Sequence, residues 1–325
     1  MKVLLSSIRL KEKFTHSTGP ILIKVICGLM IIVSQTSHGQ SSLYKTENFI
    51  DINGVKIFTK LVGSGTPLLI IHGGPGLSHD YLEPQLIELL AEDYQLIFFD
   101  QRASGRSSGV EDTTRITMTQ FVEDIESIRK YFRLSKVNVL GHSFGGLIAM
   151  YYASTHPNAI NKVLLIDSSP ASWEPFFPML NLAISERETE ADKEELAKIR
   201  SLRPNIQPST MEKYFKIYFR PFFNNSQLSE DLSLGVTEQW VSNYMVTYPR
   251  IMKSLGKHNI LDKLSSIIAP TLIIHGKDSV IAVESAQEIA NRIPNCRLTI
   301  LKGVGHFPYI EAPKEFADAI KAFVK

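Results

Sequence analysis

The sequence predicts an α/β protein, a mostly parallel sheet with helices on both faces and an inserted helical cap. Three observations carry this. Short continuous apolar runs recur along the chain, as strands buried on both faces require. Helical patterns separate those runs, as parallel pairing demands. Between Asp167 and about Ser265 the alternation stops, and helical and aromatic patterns take over.

The elements follow in order. Phe49 to Ile52 and Val55 to Leu61 read as a hairpin across Asn53-Gly54, a strong turn signal. Buried strands are predicted at Pro67 to Ile71, Tyr94 to Phe99, Val137 to Leu140, Val163 to Ile166, Thr271 to Ile274 and Leu298 to Leu301. Helices are predicted over roughly 81–92, 118–133, 144–155, 283–292 and 312–324. Within the cap segment, Glu186 to Arg200 reads as one strongly charged, solvated helix. The aromatic residues Tyr214, Phe215, Tyr218, Phe219, Phe222, Phe223, Trp240 and Tyr244 are expected to form cap core more than substrate contacts. The cap is expected over 169–265, above the C-terminal ends of the strands of a core formed by 40–168 and 266–325, where ligands bind in open parallel sheets.

With 325 residues, 44% of them hydrophobic, the chain can build one large core or a core with an inserted subdomain. The formal charge of +2 misleads, because residues 1–39 hold five basic residues against Glu12 alone. The remainder has 30 basic and 32 acidic residues, so no basic field attracts nucleic acid. Residues 1–39 read as a secretion signal: a basic region, the apolar stretch Val25 to Val33, then a polar segment ending in Ser37-His38-Gly39. That stretch is too short to span a bilayer, which takes about 20 residues. The expectation is an exported protein without stable membrane association, and a cytoplasmic one if the segment is no leader. Cleavage leaves Cys296 as the single thiol, which excludes an internal disulfide and a cysteine-based metal site.

The chemistry centres on Gly141-His142-Ser143-Phe144-Gly145, which follows a predicted strand and opens a predicted helix. Gly-x-Ser-x-Gly in that setting is the layout of a nucleophile elbow. A serine hydroxyl needs a base, and the base needs a partner that fixes its tautomer. His306, in a glycine-rich loop after the last strand, is the expected base. Asp278, just beyond the strand ending at Ile274, is the expected acid, with Asp167 as its rival at another strand end. The order Ser143, Asp278, His306 is that of an α/β-hydrolase. His72-Gly73-Gly74-Pro75-Gly76 follows the third strand, where an oxyanion loop belongs. Pro75 has no N–H, so Gly74 and Phe144 are the expected donors. A phosphate loop is excluded, since no Lys-Ser or Lys-Thr follows the glycines.

His-Gly-Gly-Pro-Gly before Gly-x-Ser-x-Gly, together with Asp100-Gln101-Arg102-Ala103-Ser104-Gly105-Arg106-Ser107, resembles the proline iminopeptidase family of α/β-hydrolases. The resemblance covers about 45–168 and 266–325. It implies release of an N-terminal residue, often proline, from small peptides by acyl-enzyme chemistry without a metal or organic cofactor. Asp100 and Arg102 are expected to brace the loops around the oxyanion hole. An aminopeptidase must hold a protonated amine, which demands a carboxylate partner. The family draws one such carboxylate from the position after the catalytic acid, which is Ser279 here. Glu238 is the expected substitute, with Glu174 and Glu212 as alternatives. The competing reading is an esterase or amidase acting on small acyl compounds. A cap carboxylate facing the pocket separates the two.

Overall fold

The computed structural model describes residues 45–324, so the predicted leader lies outside the described residues. No described helix is long and apolar enough to cross a membrane.

Eight strands make one sheet: β1 (Lys45–Ile52), β2 (Val55–Val62), β3 (Thr66–Ile71), β4 (Tyr94–Phe99), β5 (Val137–His142), β6 (Ile160–Ile166), β7 (Thr271–Gly276) and β8 (Cys296–Leu301). Their order is β1-β2-β4-β3-β5-β6-β7-β8. β2 runs antiparallel to both neighbours, and every other pairing is parallel. The hairpin turn places Asn53 and Gly54 at φ 49° and 80°, the left-handed pair that a tight primed turn needs. β3 lies between β4 and β5, the two strands that follow it in the chain. Successive connections therefore leave β3 in opposite directions and open a crevice at its C-terminal end.

The helices are α1 (Glu83–Leu90), α2 (Met118–Tyr131), α3 (Phe144–Thr155), α4 (Phe176–Arg187), α5 (Glu190–Ser201), α6 (Pro208–Tyr218), α7 (Glu238–Leu255), α8 (Val283–Arg292), the short α9 (Pro308–Glu311) and α10 (Pro313–Val324). Side chains alternate across each strand, so each apolar run feeds two cores. Leu68, Ile70, Leu140, Leu164, Ile166 and Ile274 pack with α1, α10 and the cap. Leu69, Ile71, Val139, Val163, Leu165 and Ile273 pack with α2, α3 and α8 on the other face. Each such side chain contributes roughly 1.5–3 kcal/mol on leaving water.

Helices α4 to α7 lie between β6 and β7. The expected single helix over 186–200 is two. α4 ends at Arg187, and Thr189 caps α5 by accepting from the Asp192 N–H at 3.1 Å. A threonine hydroxyl competes with the helix ladder and favours a fresh start. Phe215, Phe219, Phe222 and Trp240 are buried in the core cluster that runs down to the sheet.

Buried charges brace the loops at the C-terminal edge. Asp100, one residue past β4, accepts from the His79 N–H at 3.0 Å, from His79 Nδ1 at 2.6 Å and from the Arg106 N–H at 2.7 Å. His79 Nε2 lies 3.3 Å from Glu83, which also holds Lys60 at 2.5 Å. Arg102 grips Asp124 of α2 through Nε and Nη2, both at 2.6 Å. Asp100 and Arg102 thus act as the braces that the sequence led us to expect. Burial alone would lower the pKa of His79, but Asp100 and Glu83 outweigh it and raise it to about 9. A histidine charged in the folded state contributes stability that is complete below its ordinary value near 6.5 and lost as pH rises through about 9. The stability gap between wild type and His79→Gln is therefore expected to shrink by up to roughly 3 kcal/mol between pH 6 and 9.5. Urea midpoints at the two pH values check this, and an unchanged gap contradicts a charged His79.

Candidate active site

The register of the sheet brings the ends of β3, β5 and β6 level, with Ile71 opposite Gly141 and His142 opposite Ile166. The chain turns sharply from β5 into α3, and Ser143 takes φ 54° and ψ −123° there. A side chain at Gly141 would strike the Gly145 carbonyl, and one at Gly145 would strike the carbonyls of Ile71 and His72. Only glycine permits this turn. Ser143 sits at the positive end of α3 and faces a cleft under the cap.

His306 lies beyond β8, and its backbone N–H donates to the Phe222 carbonyl of the cap at 2.7 Å. Its Nδ1 is 2.7 Å from Oδ1 of Asp167, not from Asp278. This corrects the expected acid. Asp167 is the first residue past β6, fully buried at φ 39°. It accepts further from the Gly276 N–H at 2.8 Å and the Ser279 hydroxyl at 2.7 Å. Burial would raise its carboxyl, but His275 and His306 outweigh that and hold it at about 2. An ionised Asp167 fixes the Nδ1–H tautomer of His306 and leaves Nε2 free to accept a proton. Asp278 lies one residue further from its strand, in a tight turn. Its N–H donates to the Val304 carbonyl and its carbonyl accepts from Arg187 at 2.8 Å. Its carboxylate enters no hydrogen bond or ion pair among the described residues.

Two further histidines, His142 and His275, lie against His306 and Asp167. His275 is buried, with Nε2 bonded to the Ile281 carbonyl at 3.0 Å and Nδ1 3.6 Å from Asp167. His142 forms the middle of a buried chain. The Gly73 N–H donates to Tyr81 Oη at 2.7 Å, Tyr81 Oη is 2.8 Å from His142 Nδ1, and His142 Nε2 is 2.9 Å from the His306 carbonyl. A carbonyl only accepts, so Nε2 of His142 carries the proton and Nδ1 accepts from Tyr81. Burial, then the neighbouring His306, lowers His142 to about 3 and keeps it neutral. The pattern offered no sign of this, because the partners are 61 and 164 residues away.

The chain also settles which oxyanion-loop amides are free. Gly73 is committed to Tyr81, whereas the N–H groups of Gly74 and Phe144 have no acceptor among the described residues. Both residues line the cleft beside Ser143. Gly74 takes φ 129°, a conformation that suits glycine. Gln101 holds the loop by donating to the His72 carbonyl at 2.7 Å.

The cleft encloses about 380 Å³. Its walls include Leu77, Trp173, Phe177, Leu180, Ile184 and Met252, with several of the cap aromatics. Those aromatics are therefore both cap core and cleft wall. Among the described residues no aspartate or glutamate lines it, and Arg203 is the one arginine or lysine that does. Glu238 is exposed on a separate surface depression, which corrects its expected place. Thr237 caps α7, and Trp240, two positions after Glu238, points inward and is 1% exposed. A two-residue step turns a helix by about 200°, so Glu238 faces out. Glu212 lines another surface groove, and the exposed Glu174 pairs with Lys257 at 3.6 Å. Away from the cleft, His79, Asp80 and Glu83 cluster closely enough to ligate a cation. Lys60 and Arg106 already neutralise those carboxylates.

Asp167→Asn is expected to cut turnover of any substrate about 10⁴-fold by freeing the wrong tautomer, and Asp278→Asn to stay within about threefold of wild type. Steady-state kinetics of both variants on one ester check this. The reverse ranking would restore Asp278 as the acid.

Similarity to known proteins agrees with the geometry. Residues 66–313 match the family model described as the alpha/beta hydrolase fold. A proline iminopeptidase of Heyndrickxia coagulans is 27% identical, over 86% of this chain and 98% of its own. One from Saccharolobus solfataricus is 29% identical, over 87% and 93%. Among solved structures, a proline iminopeptidase of Mycobacterium smegmatis superposes with a TM-score of 0.65 at 19% identity, covering 86% of this chain and 97% of that one. An esterase from Exiguobacterium antarcticum does so at 0.63 and 24%, covering 86% and 99%. At those identities the structural likeness speaks for the fold alone. The chain is a member of the α/β-hydrolase fold family, similar over most of its length to proline iminopeptidases.

Proposed function

We propose that this chain is a serine hydrolase that opens an ester or amide through an acyl-enzyme on Ser143. The observation that carries it is the His306–Asp167 hydrogen bond of 2.7 Å beside a serine held on a nucleophile elbow in the same cleft. Ser143 Oγ attacks the carbonyl carbon, and its proton passes to His306 Nε2. The imidazolium, stabilised by Asp167, protonates the leaving alcohol or amine as the carbonyl–heteroatom bond breaks. Water then enters, gives a proton to His306 and releases the acid, and Ser143 recovers its proton. The oxyanion of each tetrahedral state meets the N–H groups of Gly74 and Phe144, a term commonly worth about 3 kcal/mol per donor.

The cleft sets the acyl group. Apolar walls favour a hydrophobic body, and the lack of any lining carboxylate disfavours a free ammonium. An ester or amide whose acyl part bears no free amine fits best. Release of N-terminal proline is the second reading, favoured by near full-length relatives that bear the name proline iminopeptidase.

Hydrolysis of p-nitrophenyl butyrate and of proline p-nitroanilide, with wild type and Ser143→Ala, tests the proposal. Ester cleavage is expected to fall at least about 10³-fold in the variant, as for loss of a nucleophile, with the anilide left intact. Cleavage of the anilide dependent on Ser143 would establish the second reading instead. A fluorophosphonate probe is expected to label Ser143 in the wild type, and labelling elsewhere or none would overturn both.

A further inference from the structure

A group of phenols lines the cap side of the cleft. Tyr214 and Tyr218, one turn apart on α6, stack with centroids 6.1 Å apart. Tyr244 and Tyr248, one turn apart on α7, stack at 5.3 Å. All four line the cleft with Arg203. The Arg203 charge reaches Tyr244 and Tyr248, whereas the charges of Glu188 and Arg200 reach Tyr218. Tyr214 Oη accepts from Arg200 at 3.4 Å. The hydroxyls of Tyr218, Tyr244 and Tyr248 make no hydrogen bond to any described residue, and Arg203 makes no ion pair or side-chain hydrogen bond among them.

Burial raises the phenols of Tyr218 and Tyr244, so they stay protonated and remain donors. Neutral O–H donors of Tyr244 and Tyr248 near the Arg203 guanidinium, in a cleft whose described lining holds no carboxylate, suit an anion, and Glu188 lies on the Tyr218 side of the group. We propose that Arg203 with Tyr244 and Tyr248 forms a subsite for a carboxylate at the far end of the acyl group. The substrate class is then an ester or amide of an acid carrying a second, terminal carboxylate. The assignment to the acyl side rests on the acyl-enzyme reading above.

Binding to Ser143→Ala, measured by calorimetry with octanoate and octanamide, tests the subsite without turnover. Octanoate is expected to bind about tenfold more tightly, as for one charged hydrogen bond at a partly exposed site. The ratio is expected to fall to within twofold of one in Ser143→Ala/Arg203→Gln, and to shrink as salt screens the exposed guanidinium. Equal binding, no binding of either ligand, or a ratio untouched by Arg203→Gln overturns the subsite. An untouched preference for octanoate would place the carboxylate at the oxyanion donors instead. Failure of fluorophosphonate labelling at Ser143 would strike the catalytic reading alone, so the two failures are separable.

Discussion

Asp167 is a carboxylate held out of water at the end of β6, and ionisation there is costly unless the surroundings supply donors. Three donors do so, from the Gly276 N–H, the Ser279 hydroxyl and His306 Nδ1. They belong to β7, to the turn after it and to the loop after β8. The acid therefore keeps its charge only while β6, β7 and β8 hold their register and both loops keep their paths.

The base is tied from two further directions. Its carbonyl receives the His142 proton, and through Tyr81 that contact reaches the Gly73 amide of the oxyanion loop. Its own N–H is held by the cap at Phe222. His306, the loop that carries the proposed oxyanion donors and the cap thus share one hydrogen-bond system. A cap displaced from the core would loosen His306 as well as open the cleft.

The sheet was legible because each buried strand is a short apolar run with few competing readings, and Tyr94 to Phe99 matches to the residue. The elbow was legible because its glycines are forced by backbone contact. The acid was not, since two aspartates follow strands and the choice between them depends on where a loop carries a carboxylate. Asp167 stands directly at its strand end, whereas Asp278 lies in a turn whose backbone bonds to Val304 and Arg187. The misplacement of Glu238 was avoidable: helical phase from the inward Trp240 already turns it to solvent.

No described carboxylate lines the cleft, although the chain is similar to proline iminopeptidases over most of its length. The proposed catalytic residues stand at strand ends and in the loops after them, whereas α4, α6 and α7 supply much of the cleft wall, so the chemistry and the specificity are free to diverge. The site depends on Asp167 as the partner of His306. Low-field proton NMR of the full chain tests it most directly, on the imidazole N–H resonance identified by its loss in His306→Ala and so distinguished from the His79–Asp100 proton. That resonance is predicted to vanish in Asp167→Asn and to persist in Asp278→Asn. Its survival in Asp167→Asn with loss in Asp278→Asn would contradict the account.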